Sequence, residues 1–212
     1  MKLAKLFSKW QAAVAGIMLV LVSVAHAQGV DQSDPEKMVE GLSNQVIYEL
    51  NANRAVLEKE PTQVKLFANN FVLPYIDTEK MARYVMGRNW RTATEEQKQG
   101  FVDAFTNTLI RSYSQSLLKL NIESVKVAPA REEKPGRVTV ASTVTQSDGN
   151  KSDVIYRIYF DKAGNKWMLY DVSVEGISML LNYRKSYASE IGKKGLDAVI
   201  SEMREKNQDY NA

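Results

Sequence analysis

From residue 34 to about residue 120 the apolar positions recur every three or four residues; from about 122 to 174 they recur every second residue. The first period is that of helices, the second that of half-buried strands. Asp34-Pro35 supplies an N-cap followed by proline at the first helical position, and Met38, Leu42, Val46, Leu50 and Leu57 then form a stripe that Val39 and Ile47 widen. A second helix is predicted after Glu60-Pro61, with Val64, Leu66, Phe67 and Phe71 as its apolar positions. Pro74 breaks the chain, and Asp77 caps a short helix carrying Met81, Tyr84 and Val85 that ends near Gly87. Thr94-Glu95-Glu96-Gln97 is a capping box, in which the hydroxyl takes one free N–H and Gln97 reaches back to another. The helix it opens carries Phe101, Phe105, Leu109, Tyr113 and Leu117 at four-residue spacing.

The strand period runs through Val125 and Val127, then Val138, Val140 and Val144, then Val154, Tyr156, Ile158 and Phe160, then Met168, Tyr170, Val172 and Val174. Asp148-Gly149 and Gly164-Asn165 are turn signals between runs. The shared even parity lets Val144 oppose Val154 and Ile158 oppose Met168 in antiparallel pairs. Trp167 and Leu169 fall on the odd face, which another element should then partly cover. From Ile177 the helical period returns with Leu180, Leu181, Tyr183, Tyr187 and Ile191. Gly192-Lys193-Lys194-Gly195 interrupts it, Leu196 to Met203 forms a last helix, and the polar tail from Arg204 to Ala212 is expected to fray. The predicted class is α+β: helices packed on one face of an antiparallel sheet of about four strands, in one domain. Its helical part covers 34–120, its sheet 123–175 and its C-terminal helices 177–206.

The first 27 residues change the chemistry open to this chain. Lys2, Lys5 and Lys9 precede an apolar run from Ala12 to Ala25, and Ala25-His26-Ala27 is the small-x-small pattern cut by signal peptidase. That run, about 14 residues, is shorter than the roughly 20 needed to span a bilayer. An exported soluble protein beginning at Gln28 is expected, and it would contain no histidine and no cysteine. Without cysteine the fold rests on its core alone. The leader also removes three lysines, so 28 Lys+Arg against 25 Asp+Glu becomes 25 against 25. A neutral chain of this kind lacks the basic excess of a nucleic-acid binder.

Few residues suggest catalysis. No phosphate loop, zinc spacing or nucleophile elbow is present. Asp171 and Glu175 lie four apart on one strand face, about 13 Å by strand rise, too far for a two-carboxylate glycosidase. Asp171 alone could serve as the base of an isomerase-like cone, which leaves a small α+β enzyme on a hydrophobic substrate as one alternative. A periplasmic chaperone for unfolded outer-membrane proteins is another. Arg157, mid-strand on the odd face, is expected to pair with Asp171.

Three separated blocks carry a resemblance. They are Leu73-Pro74-Tyr75-Ile76-Asp77, the run from Met81 to Arg91 (Met-Ala-Arg-Tyr-Val-Met-Gly-Arg-Asn-Trp-Arg), and Tyr170-Asp171-Val172-Ser173-Val174-Glu175-Gly176-Ile177-Ser178. With Asn182-Tyr183-Arg184 and the Gly195-Leu196-Asp197 helix start, the chain resembles the MlaC family from about Val39 to Met203. Its members are periplasmic phospholipid-binding proteins, also called toluene-tolerance auxiliary proteins. The resemblance implies a non-enzymatic carrier that moves phospholipids between outer and inner membranes and maintains outer-membrane lipid asymmetry. It implies an outer-membrane lipoprotein–porin complex and an inner-membrane ABC transporter with a periplasmic lipid-binding ring as partners, phospholipid as ligand and no cofactor or metal. Ile177, where other members have valine, is implied as a cavity wall.

Lipid carriage makes a quantitative demand. Exposing acyl chain to water costs about 0.8 kcal/mol per CH₂, so four wet methylenes cost roughly 3 kcal/mol, more than a hundredfold in affinity. The candidate wall is Val72, Ile76, Met81, Val85, Phe105 and Leu109 from helices, Tyr156, Ile158, Met168, Tyr170, Val172 and Val174 from the even sheet face, and Ile177, Leu180 and Leu181 along one side. Periodicity alone reads every one of these as ordinary core; the resemblance makes them a cavity wall. Tyr75, Tyr84, Trp90, Tyr156 and Tyr170 are candidates for the mouth, greasy at one edge and wet at the other. Arg83, Arg88, Arg91, Lys193 and Lys194 could hold a lipid phosphate or an acidic partner, or be solvated surface.

Overall fold

In a computed structural model the chain is described over residues 29–210. The expected leader and its cut after Ala27 lie outside the described residues. Among the described residues the α-helices are α1 Pro35–Leu57, α2 Pro61–Phe71, α3 Thr78–Met86, the short α4 Asn89–Thr92, α5 Glu95–Lys119, α6 Met179–Lys194 and α7 Leu196–Lys206. Their start signals act as the sequence predicts. The Asp34 and Asp77 carboxylates accept from the Lys37 and Lys80 N–H groups at 2.9 and 2.8 Å. Thr94 and Gln97 close the capping box in both directions, at 3.2 and 3.1 Å. Each of these contacts satisfies an N–H that the first turn of a helix leaves free.

The strands are β1 Ile122–Val127, β2 Arg131–Lys134, β3 Arg137–Gln146, β4 Lys151–Asp161, β5 Lys166–Val174 and β6 Ile177–Ser178. They form one antiparallel sheet in the order β1-β3-β4-β5-β6, with β2 also on β3. The class is α+β as predicted, with six strands in place of about four. The two additional strands carry no apolar alternation: β2 is Arg-Glu-Glu-Lys and wholly exposed, and β6 has two residues. Consequently Ile177 is strand, paired with Val174, and the helix expected from Ile177 begins at Met179.

Register departs from expectation twice. Val144 opposes Ser152 and Val154 opposes Ser142, two residues tighter than predicted, which leaves the even residues on one face. Between β4 and β5, Tyr156 pairs with Val172 and Arg157 with Asp171, but Ile158 pairs with Leu169. Tyr170 is the extra residue of a β-bulge, and beyond it parity inverts. Leu169 and Trp167 thereby join the inner face, while Met168 opposes Tyr159 on the outer one and takes a contact from the Gln32 amide at its sulfur.

The interior is divided into three apolar clusters. Met38, Val39 and Leu42 of α1 pack on Val138, Val140, Ile158 and Leu169 of the sheet. A second cluster joins α3, α5, α6 and α7 through Met81, Val85, Phe101, Phe105, Leu180, Tyr187, Ile191 and Met203. The third joins α1, α2 and α5 through Leu50, Leu57, Val64, Phe67 and Ile110, and includes Tyr210. The tail read as frayed is therefore docked as far as residue 210, and α6 continues through Gly192. Fully buried Asn207 fastens it, donating to the Ala104 carbonyl and the Thr108 hydroxyl and accepting from Arg111 Nε.

Candidate functional site

The three clusters meet along a seam. Ile76 packs against the sheet cluster and the α3/α5/α6/α7 cluster, and Val46 against the sheet cluster and the α1/α2/α5 cluster. Half-buried apolar side chains line the places between: Val72, Leu109, Tyr156, Tyr170 and Val172. Cross-strand pairing puts Val174 and Ile177 on the same sheet face as Val172 and Tyr156. That row grows more exposed toward the sheet edge, where Val174, Leu181 and Ile177 reach 40%, 43% and 68% exposure.

The predicted wall thus separates into three groups. Met81, Val85, Phe105, Leu180 and Ile158 are sealed inside clusters. Val72, Ile76, Leu109, Tyr156, Tyr170 and Val172 lie half-buried along or beside the seam, and Val174, Ile177 and Leu181 are exposed apolar side chains at one end. Met168, moved to the outer face by the bulge, stands apart from these. Tyr113 and Tyr183 belong with the seam although they were absent from the predicted wall. Tyr183 lies edge-on to Phe105 at 5.2 Å and to Tyr113 at 6.4 Å. Burial, then the hydrogen bond with Tyr183, holds the Tyr113 phenol well above the ordinary tyrosine range. The four-residue spacing from Phe105 through Leu109 to Tyr113 was the available signal.

Asp171 occupies the edge of this region with its carboxylate fully engaged. It is 4% exposed and accepts from Arg157 Nη1 at 2.6 Å, Ser178 Oγ at 2.7 Å and the Leu180 N–H at 3.0 Å. The expected pair with Arg157 is present. A carboxylate holding three donors is an anchor, which counts against its role as the base of the enzyme alternative. The other expected charges sit at the surface: Arg83, Arg88, Arg91 and Lys193 are exposed, and Lys194 pairs with Glu202 at 2.7 Å. Among the mouth candidates Tyr75 is buried, its hydroxyl accepting from the Val30 N–H, and exposed Tyr84 lies under the Arg184 guanidinium at 4.5 Å.

Among the described residues two cavities open beside these groups, the first of them reaching Tyr183. One of about 160 Å³ lies between α5, α6 and α7, lined by Thr108, Arg111, Glu190, Glu202 and Lys206 among others. The other, about 480 Å³, is a shallow hollow beside Arg54, Glu58, Leu118, Lys119 and Asn121. Both linings carry charge, which suits neither to an acyl chain. Among the described residues no cluster of acidic side chains could hold a metal, and no helix is long and apolar enough to cross a membrane.

A family model described as MlaC protein matches residues 40–205. The chain belongs to the MlaC family. It is similar to the "Intermembrane phospholipid transport system binding protein MlaC" of Haemophilus influenzae, 21% identical over 180 residues and covering 83% of each chain. It is 26% identical over 181 residues to the "Toluene tolerance protein ttg2D" of Pseudomonas putida, covering 85% of this chain and 83% of that one. Among solved structures it resembles the phospholipid-binding protein of Ralstonia solanacearum, determined in complex with a phospholipid. That match has a TM-score of 0.75 and 25% identity, over 84% of this chain and 99% of the other. The MlaC-family match thus runs from within α1 into α7 and takes in every strand and α2 to α6 whole.

Proposed function

We propose that this MlaC-family protein is a soluble, non-enzymatic periplasmic carrier that binds phospholipid by parting the seam and burying acyl chains between helices and sheet. The observation that carries this reading is the continuous apolar row from half-buried Tyr156 and Val172 to exposed Val174 and Ile177, in a fold whose Ralstonia solanacearum relative holds a phospholipid. Val174 and Ile177 leave apolar surface wet next to half-buried Val172 and Tyr156. A lipid chain laid along them removes that surface from water at about 25 cal/mol per Å².

Division of the interior into three clusters supports the same reading. The sheet cluster and the α3/α5/α6/α7 cluster share no helix and are bridged by Ile76, so they can part there while each keeps its own packing. Opening one continuous core would forfeit far more close-packed contact. The seam walls are then Val72, Ile76, Leu109, Tyr156, Tyr170 and Val172, with Tyr113 and Tyr183 beside them and Val174, Ile177 and Leu181 at the mouth. The sealed residues Met81, Val85, Phe105, Ile158 and Leu180 frame that space. The headgroup stays near solvent at the mouth, and the protein needs no cofactor.

In the cell, the carrier would exchange lipid with an outer-membrane lipoprotein–porin complex and an inner-membrane ABC transporter, sustaining outer-membrane lipid asymmetry. Naming of the Haemophilus influenzae relative as part of an intermembrane phospholipid transport system supports this placement. The test is to incubate the purified protein with phosphatidylethanolamine–phosphatidylglycerol vesicles and separate the two by gel filtration. Lipid phosphorus co-eluting with the protein in a fixed molar ratio is expected. A protein peak free of phosphorus, before and after incubation, would contradict the reading.

A further inference from the structure

We propose that Asp171 is the positioning residue of the seam's mouth: it pins the segment Ile177–Leu181 to the sheet and so sets how often the mouth opens. The inference rests on the carrier reading above. Asp171 stands on β5 facing Arg157 on β4, and its two oxygens serve different parts of the neighbouring segment. Oδ1 accepts from the Leu180 N–H at 3.0 Å, and Oδ2 accepts from Ser178 Oγ at 2.7 Å and Arg157 Nη1 at 2.6 Å. Ser178 Oγ in turn accepts from the Leu181 N–H at 3.1 Å, capping α6. One carboxylate thereby fixes, directly or through one hydroxyl, two backbone groups at the start of α6.

The residues positioned by this network are the exposed apolar ones. Ile177 immediately precedes Ser178, and Leu181 is held through its own N–H. The segment's remaining ties to the sheet are slight: β6 contributes two paired residues, preceded by a turn in which Glu175 and Gly176 have φ of 48° and 77°. Leu180, buried in the helical cluster, is its apolar anchor. The network favours two discrete states. A buried carboxylate that loses some of its donors is poorly solvated, so Ser178 and Leu180 are held together or released together.

Two variants and two measurements test this. Asp171→Asn removes the charge and turns an amide N–H₂ toward the Arg157 and Ser178 donors. Ser178→Ala removes one donor and the α6 cap but leaves the Arg157–Asp171 pair, so it carries the test should Asp171→Asn fail to fold. Amide hydrogen exchange at Leu180 and Leu181 is read without added lipid, and phospholipid transfer is read between donor and acceptor phosphatidylethanolamine–phosphatidylglycerol vesicles. We expect faster exchange at both amides in both variants, about tenfold faster lipid transfer for Asp171→Asn, a smaller gain for Ser178→Ala, and an unchanged lipid-to-protein ratio. Folded variants with loosened amides and wild-type transfer rates would make Asp171 a structural residue only and overturn the proposal. Amides that stay protected in both variants would overturn the pinning itself. Loosened amides in a protein whose wild type takes up no phospholipid would locate the failure in the carrier reading.

Discussion

From the end of α7, the Asn207 side chain donates to the Thr108 hydroxyl of α5 at 2.9 Å. The same amide donates to the Ala104 carbonyl at 3.0 Å and accepts from Arg111 Nε at 2.8 Å. Three hydrogen bonds of a fully buried side chain are thus directed at one neighbouring helix. Asn207→Ala should destabilise the protein by about 3 kcal/mol, because buried partners are left unpaired. For a domain of this size that corresponds to a fall in Tm of roughly 6–12 °C, measured by thermal denaturation.

Sealed and exposed apolar residues should respond oppositely. Phe105→Ala, in the α3/α5/α6/α7 cluster, should cost about 3–5 kcal/mol of stability in urea titrations. Ile177→Glu, at a 68% exposed position, should change stability by no more than about 0.5 kcal/mol, since the carboxylate can stay in water. It should nevertheless abolish lipid loading, because a bound chain at the mouth would lie against an unpaired charge. Normal loading of the folded Ile177→Glu protein would remove Ile177 from the site.

The capping box offers a local test. Thr94→Ala removes the acceptor for the Gln97 N–H at the start of α5 and should cost about 1 kcal/mol. The midpoint of urea unfolding should shift accordingly, with its slope unchanged.

Much of the fold was legible because its signals are local. Asp34, Asp77 and Thr94 sit where an N-cap must sit, and each makes the hydrogen bond its position predicts. The inner face of β3 and β4 followed from parity for the same reason. The bulge at Tyr170 was not legible: Trp167, Met168, Leu169 and Tyr170 are all apolar, so an inversion of parity leaves no trace in the pattern. Asn207 was hidden because a single asparagine in a polar tail looks the same whether its partners are water or a helix 99 residues away. The candidate site was legible as a list of apolar positions, but not in its division. Whether such a residue is sealed, as Phe105 is, or exposed, as Ile177 is, depends on which clusters meet beside it.

Buried Tyr187 and half-buried Tyr113 and Tyr159 make stability depend on pH. Burial chiefly, joined at Tyr159 by its hydrogen bond to the Asp77 carboxylate and at Tyr113 by the one with Tyr183, raises their pKa values above the ordinary 10.0. Burial pushes Tyr187 up to about 12. A phenol whose folded pKa lies above its unfolded value contributes stability that is full below pH 10 and lost as pH rises through the folded pKa. Unfolding free energy should therefore fall steadily above about pH 10, with the phenolate absorbance of these tyrosines appearing later than that of exposed ones. Tyr159→Phe should flatten part of that decline.

Native mass spectrometry would show whether this protein holds phospholipid. The folded protein, purified without detergent, is weighed intact and then extracted with solvent. A mass excess over the polypeptide that identifies as phospholipid in the extract is the predicted result, and its size also reveals how many acyl chains are held. A bare polypeptide mass that persists after incubation with phospholipid vesicles would contradict the account.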